Sequence, residues 1–209
     1  GVEDCHVIYD GERRLPRARS KGFLPVDRAT SWVVENQQSL RFPDGMVRNS
    51  PDLRNKELVL ITAAPWTMNV LPLQWVHEDL HRLRTSVRGS YPLTRPRFGH
   101  FPQSAWIENS NQDLDQPGEW VSLPERGGIY FWPEGDSPGR EVVVPGLTEL
   151  IRIEGGIDYE GPVDEPVRGL VFRGLTFTQA DRYSWNENHV GWGLQHDWEK
   201  FDRPTAMLR

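Results

Sequence analysis

Proline and glycine, 17 and 19 of the 209 residues, are scattered along the whole chain rather than gathered into a linker. Both residues interrupt regular structure, so this distribution cuts the sequence into short segments and leaves little room for long helices. The apolar stretches between the breaks are rich in β-branched and aromatic residues: 57–62, 128–132, 141–144 and 167–177. Runs of that kind, bounded by Pro or Gly, read as strands, and the expected fold class is all-β. Glu119-Trp-Val-Ser-Leu123 and Ile129-Tyr-Phe-Trp132 flank Pro124-Glu-Arg-Gly-Gly128, a connection of hairpin length. A β-hairpin is expected there, with Trp120 and Trp132 near its ends.

Hydrophobic residues make up 37% of the chain and charged residues 26%, ordinary values for a globular protein and too apolar for wholesale disorder. The formal net charge of −6 argues against a nucleic-acid or anionic-membrane partner, either of which calls for a concentrated basic face. One basic cluster runs from Arg13 to Lys21, interrupted by Leu15 and Pro16, and reads as a solvated turn. Cys5 stands alone, so an intrachain disulfide and a cysteine-based zinc site are both excluded. No apolar run is long enough to span a bilayer as a helix. Nothing in the composition calls for a cofactor. Nine Trp, eight Phe and five Tyr are a heavy aromatic load, serving equally as core filler or as stacking platforms for ligand rings.

The C-terminal third shows a weak repetition. Leu150-Ile-Arg-Ile153 recurs as Leu170-Val-Phe172, Leu175-Thr-Phe177 follows around Gly174, and Ala206-Met-Leu208 begins a further apolar segment. The spacing suits stacked solenoid coils, of which about three are needed for a continuous core. Successive strands of an ordinary sandwich fit it equally well.

Two stretches could carry chemistry. His77-Glu-Asp-Leu-His81 matches H-E-x-x-H, which binds zinc when a helix places both imidazoles on one face. Here Pro72 lies just upstream and both flanks, 70–76 and 83–87, read as strands, so a strand–turn–strand should send His77 and His81 apart with Glu78 between them. The second stretch runs from Asp181 to Asp202 and holds Trp185, His189, Trp192, His196, Asp197, Trp198 and Glu199. Long loops on a rigid scaffold are often functional. The indoles could stack on a sugar face while His196, Asp197 and Glu199 bond hydroxyls. The alternative is that the rings cap a coil core and the charges face solvent. Glycoside hydrolysis needs two carboxyl groups at ~5–5.5 Å or ~6.5–9.5 Å, and spacing along a sequence supplies no such distance.

Several segments together resemble large right-handed parallel β-helix proteins among bacterial polysaccharide-degrading enzymes, glycoside hydrolase family 141 included. They are Tyr9-Asp-Gly-Glu-Arg-Arg-Leu-Pro-Arg-Ala-Arg19, Asp115-Gln-Pro-Gly-Glu-Trp120 with Ile129-Tyr-Phe-Trp-Pro133, and Val167-Arg-Gly-Leu-Val-Phe-Arg-Gly-Leu-Thr-Phe177. The resemblance implies a β-rich, sandwich-like inserted domain over residues 1–118. A hairpin and the first coils of a right-handed parallel β-helix would follow over 119–209, with more coils expected before Gly1 and after Arg209. It also implies a polysaccharide-acting glycoside hydrolase, extracellular or periplasmic, whose catalytic carboxylates lie on later coils. The rival readings are a non-catalytic carbohydrate-binding or adhesin-type β-helix protein and, further off, a zinc hydrolase acting through His77, Glu78 and His81.

Overall fold

The computed structural model describes residues 5–28, 31, 33–136, 141–156, 158, 161 and 163–182, and the backbone of 192–193. In chain order the elements are β1 (Tyr9–Asp10), β2 (Arg13–Arg14), α1 (Val34–Gln38), β3 (Ser39–Arg41), β4 (Glu57–Ile61), β5 (Met68–His77), β6 (Arg82–Thr85), β7 (Ala105–Glu108), β8 (Trp120–Leu123), β9 (Gly128–Phe131), β10 (Val142–Val143) and β11 (Trp192–Gly193). Among the described residues the fold is all-β, with one five-residue α-helix.

The main sheet runs β3-β6-β5-β4-β7, and β11 adds to β5. Its centre is β4, Glu-Leu-Val-Leu-Ile, buried on both faces through its first four residues, which is why it reads as a continuous apolar run rather than an alternation. β5 is ten residues long and serves two neighbours: Met68–Pro72 pairs with β4, and Leu73–His77 pairs with β6 across a bulge between Leu73 and Trp75. Pro72 sits inside this strand without loss, because the flanking bonds are made by other groups: Leu73 N–H donates to the Lys56 carbonyl and Ser86 N–H to the Pro72 carbonyl, both at 2.9 Å. The freed edge of the first half of β5 is where β11 lies, with Trp192 opposite Val70 and Gly193 opposite Asn69. Leu40, Leu58, Leu60, Leu71, Leu83 and Leu93 are fully buried beneath this sheet. Each such leucine contributes about 1.5–3 kcal/mol of apolar burial.

The expected hairpin forms. β8 and β9 pair from Trp120–Phe131 to Leu123–Gly128, and Gly127 closes the turn at φ +66°, a conformation that favours glycine. Trp120 is fully buried and packs with Cys5, Ile8, Leu15, Ile129 and Phe131, so the segment from Cys5 to Leu15 rests on this hairpin. Its indole N–H donates to the Leu15 carbonyl at 3.3 Å. β1 is held between β2 and β10 in a small separate sheet.

Every ladder among the described residues is antiparallel, and the one parallel pairing they show is the isolated bridge Arg17–Trp120. At 150–153, 170–172 and 175–177, where the repeats are expected, the described residues form no ladder, and Ile151 stands in an isolated bridge. Leu170, Val171, Phe172 and Leu175 are exposed instead. An apolar pattern marks side chains that favour burial, but a strand also needs a neighbouring edge to bond to, and the described residues offer none there.

Candidate functional site

Of the residues expected to bind sugar, Trp185, His189, His196, Asp197, Trp198 and Glu199 lie outside the described residues, and Trp192 is described only as backbone in β11. What is described is how the chain reaches them. Asp181 N–H donates to the Leu147 carbonyl at 2.8 Å, His6 Nδ1 lies 3.4 Å from Asp181 Oδ2, and Arg182 reaches Glu57 on β4. The two ends of the stretch from Arg182 to Trp192 are therefore both held on the main sheet, one at β4 and one at β5.

Glu57 is the unexpected member of this arrangement. It is 2% exposed, at the start of an apolar strand. Arg17 Nη1 donates to its Oε2 at 2.5 Å, and Arg182 Nη2 donates to both carboxylate oxygens at 2.5 Å. Arg17 also donates to the Asn55 carbonyl at 3.0 Å and lies over the Trp120 ring, 5.6 Å from its centroid. Desolvation pushes the Glu57 carboxyl up, but the charges of Arg182, Arg17 and His6, with the Arg182 hydrogen bond, outweigh it and hold the group at about 2. A carboxylate so firmly ionised and closed off by two guanidiniums is an anchor and is unsuited to general acid work at neutral pH. This also corrects the reading of 13–21 as a solvated turn: Arg13, Arg14, Arg19 and Lys21 are exposed, but Arg17 is buried against Glu57.

Cys5, His6 and Asp181 look like parts of a nucleophilic constellation, but the thiol is wrong for the task. Cys5 Sγ donates to the Val7 carbonyl at 2.8 Å, and burial first, then the nearby Asp181 charge, pushes its pKa up to about 11. A thiol in that state is not a nucleophile near neutral pH.

The H-E-x-x-H segment is the tip of a β-hairpin, as its flanks predicted. His77 ends β5 beside Trp75, their rings 4.8 Å apart. His81 sits in the turn at φ +50°, with Nε2 3.3 Å from Asp44 Oδ1. Glu78 accepts from Asn49 N–H at 3.0 Å. Each residue thus serves a different neighbour, and among the described residues no group of three or more His, Cys, Asp or Glu is placed to hold a metal.

The surface feature suited to a ligand lies elsewhere. Trp66 is 53% exposed and Phe98 57% exposed, their ring centroids 5.5 Å apart and tilted by 36°. Large aromatic rings left in water together are candidates for contact with another molecule. Trp66 stands in the turn from β4 to β5, which is fixed by the bond between Thr62 Oγ1 and Thr67 Oγ1 at 2.6 Å. Arg97 N–H ties the Phe98 loop to it through the Ala63 carbonyl at 3.1 Å. At Gly99, φ is +84° and an added Cβ would sit 2.7 Å from the Phe101 ring, so glycine is required. Next to the pair opens a cleft of about 520 Å³ lined by Leu24, Arg28, Arg95, Arg97, His100 and Phe101. Arg95 is committed to the Pro25 carbonyl, whereas Arg28, Arg97 and His100 are in no ion pair among the described residues. Sequence reasoning did not single out Trp66 or Phe98. The available signal was their position beside turn-formers, in Ala64-Pro-Trp66 and Phe98-Gly99.

No family model matches this chain, and no curated protein matches it by sequence. Its fold is similar to that of a solved structure described as "Glycoside hydrolase", with a TM-score of 0.52 at 18% identity. The match covers 73% of this chain and 28% of the other.

Proposed function

We propose that this chain is part of a carbohydrate-acting protein of the glycoside hydrolase kind, and that the Trp66–Phe98 face and the 181–202 segment both contact an oligo- or polysaccharide. The observation that carries this is the exposed aromatic pair beside a cationic cleft, on an all-β framework similar to a glycoside hydrolase. Sugar rings present a flat C–H face to aromatic rings, while Arg28, Arg97 and His100 are free to bond hydroxyl or carboxylate oxygens. In this reading residues 1–118 are an accessory domain, 119–209 lead into a right-handed parallel β-helix, and the hydrolytic carboxylates belong to coils beyond this chain. An extracellular or periplasmic location goes with the same reading.

A second reading, a non-catalytic carbohydrate-binding protein, needs only the aromatic face and the cleft. The two buried carboxylates among the described residues are both occupied, Glu57 by two arginines and Glu119 by the N–H groups of Asp115 and Gln116. Neither is left to act as acid or base.

Titration of the chain with a panel of neutral and acidic oligosaccharides, followed by tryptophan fluorescence and calorimetry, tests the proposal. Trp66→Ala and Phe98→Ala are expected to weaken binding about tenfold, a loss of about 1.4 kcal/mol, with little change in melting temperature. Trp192→Ala and His196→Ala are expected to do the same if the 181–202 segment shares the groove. Binding untouched by all four substitutions would overturn it. Reducing-sugar release by a longer polypeptide carrying this chain separates hydrolase from binder.

A further inference from the structure

Lys56 precedes Glu57, and adjacent residues on a strand point to opposite sides. Glu57 faces its arginines; Lys56 faces a cavity of about 280 Å³ on the other side. The lysine is 6% exposed. Its ammonium donates to Ser50 Oγ at 2.5 Å and is in no ion pair among the described residues. An ammonium has three donors, so two remain for whatever fills the cavity. A cation taken out of water with one hydrogen bond is costly, and the Asp52, Glu125 and Asp113 carboxylates offset part of that cost without touching it. Burial pushes the Lys56 pKa down, against the pull of the Asp52, Glu125 and Asp113 carboxylates.

The remaining walls have two characters. Leu73, Val76 and Ile107 give an apolar side, while Ser50, Ser110 and Asp113 give hydroxyl and carboxylate groups; at the exposed mouth Lys21 and Arg48 add positive charge and Asp115 negative. The size lies just below the range of drug-sized ligand sites, roughly 300–1,000 Å³, and so suits a smaller molecule.

We propose that this cavity binds a small sugar acid, a monosaccharide uronate whose carboxylate takes the open donors of Lys56. Its hydroxyls meet Ser50, Ser110 and Asp113, and its C–H face meets the apolar wall. The choice of a sugar acid over another small carboxylate rests on the carbohydrate-acting reading; the cationic site itself does not.

The test titrates the folded chain with glucuronate, glucose and acetate, followed by methyl NMR signals of Leu73, Val76 and Ile107 and by calorimetry. Glucuronate is expected to bind with a Kd of about 1 mM or tighter, at least about tenfold better than glucose or acetate. Lys56→Met is expected to abolish that preference, and Ser50→Ala to weaken it while leaving the fold intact should Lys56→Met unfold. Equal binding of glucuronate and glucose, binding retained in Lys56→Met, or no response to glucuronate would overturn the site. Acetate binding as tightly as glucuronate would overturn the sugar assignment. Oligosaccharides at the Trp66–Phe98 cleft report through different resonances, so failure there and failure here are read separately.

Discussion

Replacing Glu57 with Gln removes the one negative charge between two guanidiniums, and its cost follows from geometry already described. Glu57 is 2% exposed and titrates at about 2 instead of 4.5. At about 1.36 kcal/mol for each pH unit, that displacement corresponds to about 3 kcal/mol favouring the ionised form in the fold. Breaking a buried pair by removing one partner costs about 3–5 kcal/mol, an independent route to the same size. Because the folded value is depressed, this stability is fully present above the unfolded carboxyl value and is lost as pH falls toward about 2. Urea denaturation of wild type and Glu57→Gln, followed by tryptophan fluorescence, should show a gap of about 3 kcal/mol at neutral pH that closes as pH is lowered toward 2. Arg182→Ala should cost less, since Arg17 still faces the carboxylate and Arg182 is partly in water. A gap below about 0.5 kcal/mol at neutral pH, the size of an ordinary surface change, would refute the assignment. So would a gap that does not depend on pH.

Trp120→Ala should destabilise the chain by about 3–5 kcal/mol, since the ring is fully buried between the N-terminal segment and the hairpin. Trp120→Phe should cost less, and the same urea titration measures both. The Cys5 thiol, with its pKa pushed up to about 11, should resist alkylation at mildly alkaline pH in the native chain and react readily once urea unfolds it.

Much of the strand content was legible because the signals were local. The Leu58–Ile61 run, the arms around Glu78–His81 and the 120–131 hairpin each carry apolar or aromatic residues bounded by turn-formers, and each appears as a strand or hairpin. Pro72 was decisive for H-E-x-x-H, since it favoured strands over the helix a zinc site needs. The 150–177 repeats form no ladder among the described residues, and apolar spacing says nothing about whether an edge is present to pair with. Glu57 was illegible for another reason. Its partners lie 40 and 125 residues away, and no local pattern ties Arg17 or Arg182 to one glutamate at the start of an apolar strand. Trp66 and Phe98 meet only because two loops are tied by a backbone bond, which is likewise invisible in the sequence.

The separation between Glu57 and Arg182 also has a consequence during synthesis. Arg182 follows Glu57 by 125 residues, so at ~5–20 residues per second it is made roughly 6–25 s later. For that interval a growing chain lacks Arg182 for the carboxylate, and the strand that forms the centre of the main sheet cannot settle with its charge fully matched. Translation order places the closing of this network well after β4 itself has been made, and a polypeptide halted before Arg182 would carry the mismatch permanently.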